Sequence, residues 1–111
     1  MRKVPLQASN SAIFDASGKA VARLGPQRYG ERWLITYTSI TTNSVSTTGM
    51  SCFRNFEGDT NFQEASVFNG NKDSSDTVFD LATGEVLIFV WTGGTPGRIG
   101  TVSVRGEITV L

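Results

Sequence analysis

The chain has 111 residues, ten basic against ten acidic side chains, no histidine and one cysteine. That length suits one domain, 1–111, with a single two-layer core, and the cancelled charge leaves no electrostatic footprint for nucleic acid or an anionic membrane. The lone Cys52 excludes an internal disulfide framework, and no apolar run approaches the ~18 residues of a membrane span.

Gly, Ser, Thr and Asn are plentiful and period-two patterns dominate, so strands and turns are expected throughout. The opening stretch, MRKVPLQASNSA, lacks the apolar core of a signal peptide, which points to a protein made in a cytosol and used as translated. Residues 1–12 are expected to form an extended N-terminal arm or an edge strand, because Pro5 suits only a position whose N–H need not pair. SAIFDASGKAVARLG reads as a hairpin turning at Asp15–Gly18, with Ala20, Ala22 and Leu24 sharing a face on the return. PQRYGER is a connection, and RWLITYTSITT is the longest strand. After a turn at NSVSTTG, MSCFRNFEG is a strand with Met50, Cys52 and Phe56 on one side.

A short strand is expected around Glu64 to Phe68, then a polar loop from Asn69 to Asp76. TVFDL is a further short strand, closed by ATGE. VLIFVWT and IGTVSVRGEITVL read as the final antiparallel pair, with Val102, Val104, Ile108 and Val110 facing inward and Gly106 marking a bulge or a close backbone approach. About eight strands at this spacing predict an all-β, antiparallel jelly-roll-like β-sandwich. An immunoglobulin-like sandwich ranks second, weakened by the missing cysteine pair.

The strand 86–91 is apolar on both faces: Val86, Ile88 and Val90 on one, Leu87, Phe89 and Trp91 on the other. One face of an antiparallel sandwich normally meets water, so this strand needs cover twice. The cover comes from the chain's own loops or N-terminal segment, or from a neighbouring subunit. On the second reading Leu87, Phe89 and Trp91, with Pro96 and Arg98 of the following glycine-rich connection, are the candidate oligomer interface. The glycines of TGGTPGRIG supply positive φ and room for another backbone.

Reactive constellations are missing. Without histidine there is no Ser-His or Cys-His pair and no imidazole ligand, and one cysteine cannot hold zinc. Glu57, Asp59, Glu64, Asp73, Asp76 and Asp80 are spaced like solvated turn residues and match no calcium loop. A hydrolase using two of these carboxylates needs their oxygens about 5–10 Å apart in a cleft. GTPGRIG lacks the Lys-Ser/Thr ending of a phosphate loop. No enzyme, cofactor or metal is therefore expected. Among the aromatic rings, Tyr37 and Trp91 are assigned to packing, while Tyr29 and Trp33 are candidates for contact with a glycan.

Several segments form an ordered series: Gly25-Pro26, Gly30 and Trp33; Gly70-Asn71, Asp73 and Ser75; Gly84-Glu85; and Trp91 through Gly97. This series resembles the small β-sandwich virion structural proteins, of minor tail or decoration type, encoded by tailed actinobacterial phages. The resemblance covers most of the chain and carries no catalytic residue over. It implies a non-enzymatic virion protein made in the host bacterial cytoplasm, tail-associated in the first place, with decoration of the capsid as the close variant. Its partners would be itself, as a trimer or higher homo-oligomer, and other virion proteins. A module that binds a host cell-surface glycan is the alternative.

Overall fold

A computed structural model describes residues 2–56 and 68–111. These residues form nine strands: β1 (Arg2–Ile13), β2 (Ala20–Leu24), β3 (Glu31–Thr42), β4 (Gly49–Arg54), β5 (Phe68–Asn69), β6 (Lys72–Ser75), β7 (Phe79–Leu81), β8 (Leu87–Thr92) and β9 (Ile99–Val110). One sheet has the order β1-β9-β3-β6, with β7 also on β3, and the other has the order β2-β8-β4-β5. All pairs are antiparallel. Because β6 and β7 share one strand's place beside β3, nine segments fill eight positions. The pairing is nested: first with last, second with next to last, and so inward. That is the order of a ribbon rolled around its own core, the jelly roll expected above.

The core between the sheets holds Leu6, Phe14, Ile35, Ile40, Met50, Phe89, Trp91, Val102 and Val104, all buried. Cys52 lies among them as a small apolar residue. Ile108 packs against this cluster and Val110 is half-buried, so the inward row read from β9 holds along its length. Phe56 departs from its expected side. Asn55 takes a positive φ of 66° just beyond β4, which ends the strand and leaves Phe56 exposed. The strand expected at Glu64 to Phe68 lies outside the described residues except for Phe68, the first residue of β5.

Two expected hairpins are crossings between the sheets. The turn at Asp15–Gly18 forms, with the Gly18 N–H donating to the Asp15 carbonyl at 3.0 Å, but β1 and β2 belong to different sheets. Likewise β8 pairs with β2 and β4, while β9 pairs with β1 and β3. Residues 93–98 therefore arch over one end of the sandwich, with Gly93 and Gly97 at φ of 79° and 85°. The polar stretch expected as a loop contains β6, paired from Thr38↔Ser75 to Thr41↔Lys72. An edge strand needs no apolar outer face, so its polarity concealed it.

Gly106 does both things expected of it. The β3–β9 register shifts between Ile35 and Tyr37, and a Cβ added at Gly106 would overlap the Leu34 carbonyl oxygen. The shift exchanges the two faces of β3. Before it Trp33 and Ile35 face the core; after it Thr38 and Ile40 do, and Tyr37 turns outward. Tyr37, assigned from sequence to packing, is thus a partly exposed residue of the outer face.

The open edge of β1 is closed to further strands at two points. The Phe14 N–H donates to Arg98 at 2.9 Å, which sets the even residues of β1 toward β9 and the odd ones toward the open side. Pro5, an odd residue, has no N–H to offer there. The Ser11 N–H is taken by Asn10 Oδ1 at 2.9 Å, and Asn10 Nδ2 donates to the Arg23 carbonyl of β2 at 2.9 Å. Asn10 therefore fastens the two sheets together across the edge.

Candidate functional site

Leu87, Phe89 and Trp91 are 0 % exposed inside the chain's own core. They present nothing to a second copy, so their assignment to an oligomer interface is corrected. The opposite side of β8 is also covered: Ile88 and Val90 are 4 % and 6 % exposed. The position of β8 inside its sheet gives the reason. Val21 and Ser51 flank Val90, and Arg23 and Phe53 flank Ile88, in the neighbouring strands. One molecule hides both faces of the strand. Pro96 and Arg98 are exposed, as an interface requires. They stand near the cross-strand pair Ile13 and Ile99, which are 67 % and 43 % exposed on the outer face of the long sheet. Val45 is exposed at the same end, its N–H donating to Thr95 Oγ1 at 3.1 Å.

The glycine-containing motifs meet in pairs at the two ends of the sandwich. At one end the Gly84 N–H donates to the Pro26 carbonyl at 3.0 Å, and Gly25 lies so close to Glu85 that a Cβ would overlap its carbonyl oxygen. Glu85 Oε1 accepts the Ala82 N–H at 2.8 Å, and its other oxygen pairs with Arg54 at 3.4 Å. At the other end Asn71 Oδ1 accepts from Thr48 N–H at 3.0 Å and Thr48 Oγ1 at 2.8 Å, while Nδ2 donates to the Ser44 and Ser46 carbonyls at 3.1 and 3.0 Å. Ser46 Oγ then reaches the Gly93 carbonyl at 2.6 Å. Gly94 lies against the Phe14 ring, and an added Cβ at Gly100 would stand 3.1 Å from the Trp91 indole. These motifs seal the ends of the roll. Their chemistry is structural.

Tyr29 is 97 % exposed, as its place in the PQRYGER connection suggested. It borders an open hollow with Lys3, Glu31, Arg32, Thr83 and Leu111. Trp33, its expected companion, faces inward between Leu81 and Ile108 and packs against the core. The two rings therefore share no platform. Arg32 Nε donates to Asp80 Oδ1 at 2.8 Å, and this bond, more than the added Coulomb attraction, raises the Arg32 pKa above its usual value.

Among the described residues no three of His, Cys, Asp and Glu come together as metal ligands. Glu57, Asp59 and Glu64 lie outside the described residues. Asp80 is committed to Arg32, and Asp73 Oδ1 accepts the Ser74 N–H at 2.8 Å. Sequence reasoning missed the outer face of the long sheet, where the guanidinium of Arg105 lies over the Tyr37 ring, 5.8 Å from its centre. The alternating Ser and Thr of TYTSITT and TVSVR were the available signal, legible only once the strand register is known.

No protein-family model matches the chain, and no curated protein matches it. Among solved structures, it is similar to a chain in the acidic stable capsid structure of Helicobacter pylori bacteriophage KHP30, with a TM-score of 0.60 and 15 % identity, over 98 % of this chain and 92 % of that one. A crystal structure of the Yersinia pseudotuberculosis-derived mitogen matches over 97 % and 88 % of the two chains at a TM-score of 0.43 and 16 % identity. At 15 % identity, what this chain shares with the capsid chain is its fold, from end to end.

Proposed function

We propose that the protein is a non-enzymatic structural component of a bacteriophage virion. The observation that carries this reading is the near-complete coverage of both chains in the likeness to the KHP30 capsid chain. The ordered motif series read from the sequence supports it. Tail attachment and capsid decoration are the two placements, and the capsid neighbour favours decoration of the head. The protein is made in the host bacterial cytoplasm and works in the particle, among other virion proteins.

Copies associate as a homo-oligomer through the end that carries Pro96 and Arg98, the exposed remainder of the interface proposed from sequence, together with the exposed pair Ile13 and Ile99. Imaging of intact particles tests placement: hundreds of copies of this density on the shell mark the head, a handful at the tail mark the tail, and none overturns the reading. Ile13→Asp and Ile99→Asp are expected to lower incorporation into particles while leaving a folded monomer by size exclusion.

A further inference from the structure

The outer face of the long sheet carries an ordered surface that the fold does not require. The ladder registers align Ser9, Ser103, Ser39 and Ser74 in one row across four strands. Beside it run Ser11, Thr101, Thr41 and Lys72, with Ser11 Oγ and Thr101 Oγ1 2.9 Å apart. On the other flank stand Gln7, Arg105 and Tyr37. Strands lie about 4.8 Å apart and same-face residues about 7 Å apart, so the two hydroxyl rows floor a trough on the order of 14 Å long. Open hollows follow it, one from Tyr37 and Arg105 past Ser39 and Ser74 to Lys72, and another over Gln7, Ser9, Ser103 and Arg105.

Serine and threonine on a solvated face are ordinary; the charges are what select a ligand. Arg105, on β9, stands on one flank of the floor and Lys72, on β6, at the far end of the opposite row, and no carboxylate is among the paired residues of the three rows. Asp73 lies at the rim. Neither cation belongs to the ion pairs Arg32–Asp80 and Arg54–Glu85. The Arg105 guanidinium lies over the Tyr37 ring at 5.8 Å from its centre, a cation–π contact that uses none of its N–H donors and leaves them for an anion.

We propose that this trough binds an acidic oligosaccharide. Arg105 takes a carboxylate, sulfate or phosphate substituent, and Lys72 meets a second negative group across the floor. The serine and threonine hydroxyls, each both donor and acceptor, exchange hydrogen bonds with sugar hydroxyls. A protein partner would call for an apolar centre, and the two hydroxyl rows of the trough hold only serine, threonine and lysine. The site is separate from the Tyr29 hollow and does not depend on the virion reading.

The test is an array of uronate-bearing, sulfated, phosphate-bearing and neutral oligosaccharides, probed with the full chain. Binding to acidic members is expected, weakening as salt rises. Arg105→Ala and Ser39→Trp should each lower that affinity by about tenfold or more. Arg105→Ala should keep an unchanged thermal melt, and Tyr29→Ala should leave binding intact. Binding to neutral members only, binding to none, or binding that survives Arg105→Ala overturns the proposal. So does Arg105-dependent capture of an acidic protein in place of any glycan.

Discussion

The two sheets of the roll solve the same problem in different ways. The long sheet, β1-β9-β3-β6, alternates: Val102 and Val104 face the core while Ser103 and Arg105 face out. The short sheet holds β8, where five consecutive residues, Leu87 to Trp91, are all buried. From sequence that run looked like an invitation to a second subunit. In the structure the strand is interior to its sheet and the single chain covers it. An apolar run therefore reports where a strand sits within its own sheet before it reports a partner. The sheet that looked ordinary is the one that offers solvent an organised surface.

The comparison can be broken at its strongest point first. Trp91→Ala should cost about 3–5 kcal/mol of stability in denaturant or thermal melts. A variant that melts normally but changes oligomeric state would return β8 to an interface. Gly106→Ala comes next: the added methyl meets the Leu34 carbonyl, and a loss of about 1–3 kcal/mol is expected in the same melts. That result would show that the outward turn of Tyr37 rests on the close approach of β9 to β3.

A smaller effect sharpens the corner between the sheets. The Ser17 hydroxyl, then the Lys19 N–H, hold the Asp15 carboxyl below its ordinary 3.8. A carboxyl depressed in the folded state adds stability above its unfolded value, and that stability disappears as pH falls through the folded one. Urea melts between about pH 5 and about pH 2 should show a slope that flattens in Asp15→Asn. The smallest change is expected at Ser103→Ala on the outer face, within about 0.5 kcal/mol in melts. A large loss there would mean that the hydroxyl rows hold the fold together.

Much of the fold was legible because local rules act locally. Period-two alternation located β9, crowded β-branched and aromatic residues located β3, an unbroken apolar run located β8, Pro5 marked an edge, and Gly106 marked a bulge. Alternation says which way a side chain points but not which strand lies beside it, so the segments around Asp15 and around Gly93–Gly97 were read as hairpins when they cross between sheets. A one-residue slip at the bulge moved Tyr37, expected to pack, to the outer face. The trough was invisible for the same reason: Ser9, Ser39, Ser74 and Ser103 are far apart in the chain, and only register makes them a row. Tyr29 could be read directly, since a ring in a Gly-flanked connection has little to pack on.

The fastening at Asn10 and the missing donor at Pro5 have a consequence for how copies of the chain can meet. A jelly roll with a free twelve-residue border could recruit its own kind by backbone alone, growing without limit into fibres. Here the border is stoppered at two places. Along this edge a second copy finds no unbroken ladder of backbone groups, so contact there must be made by side chains.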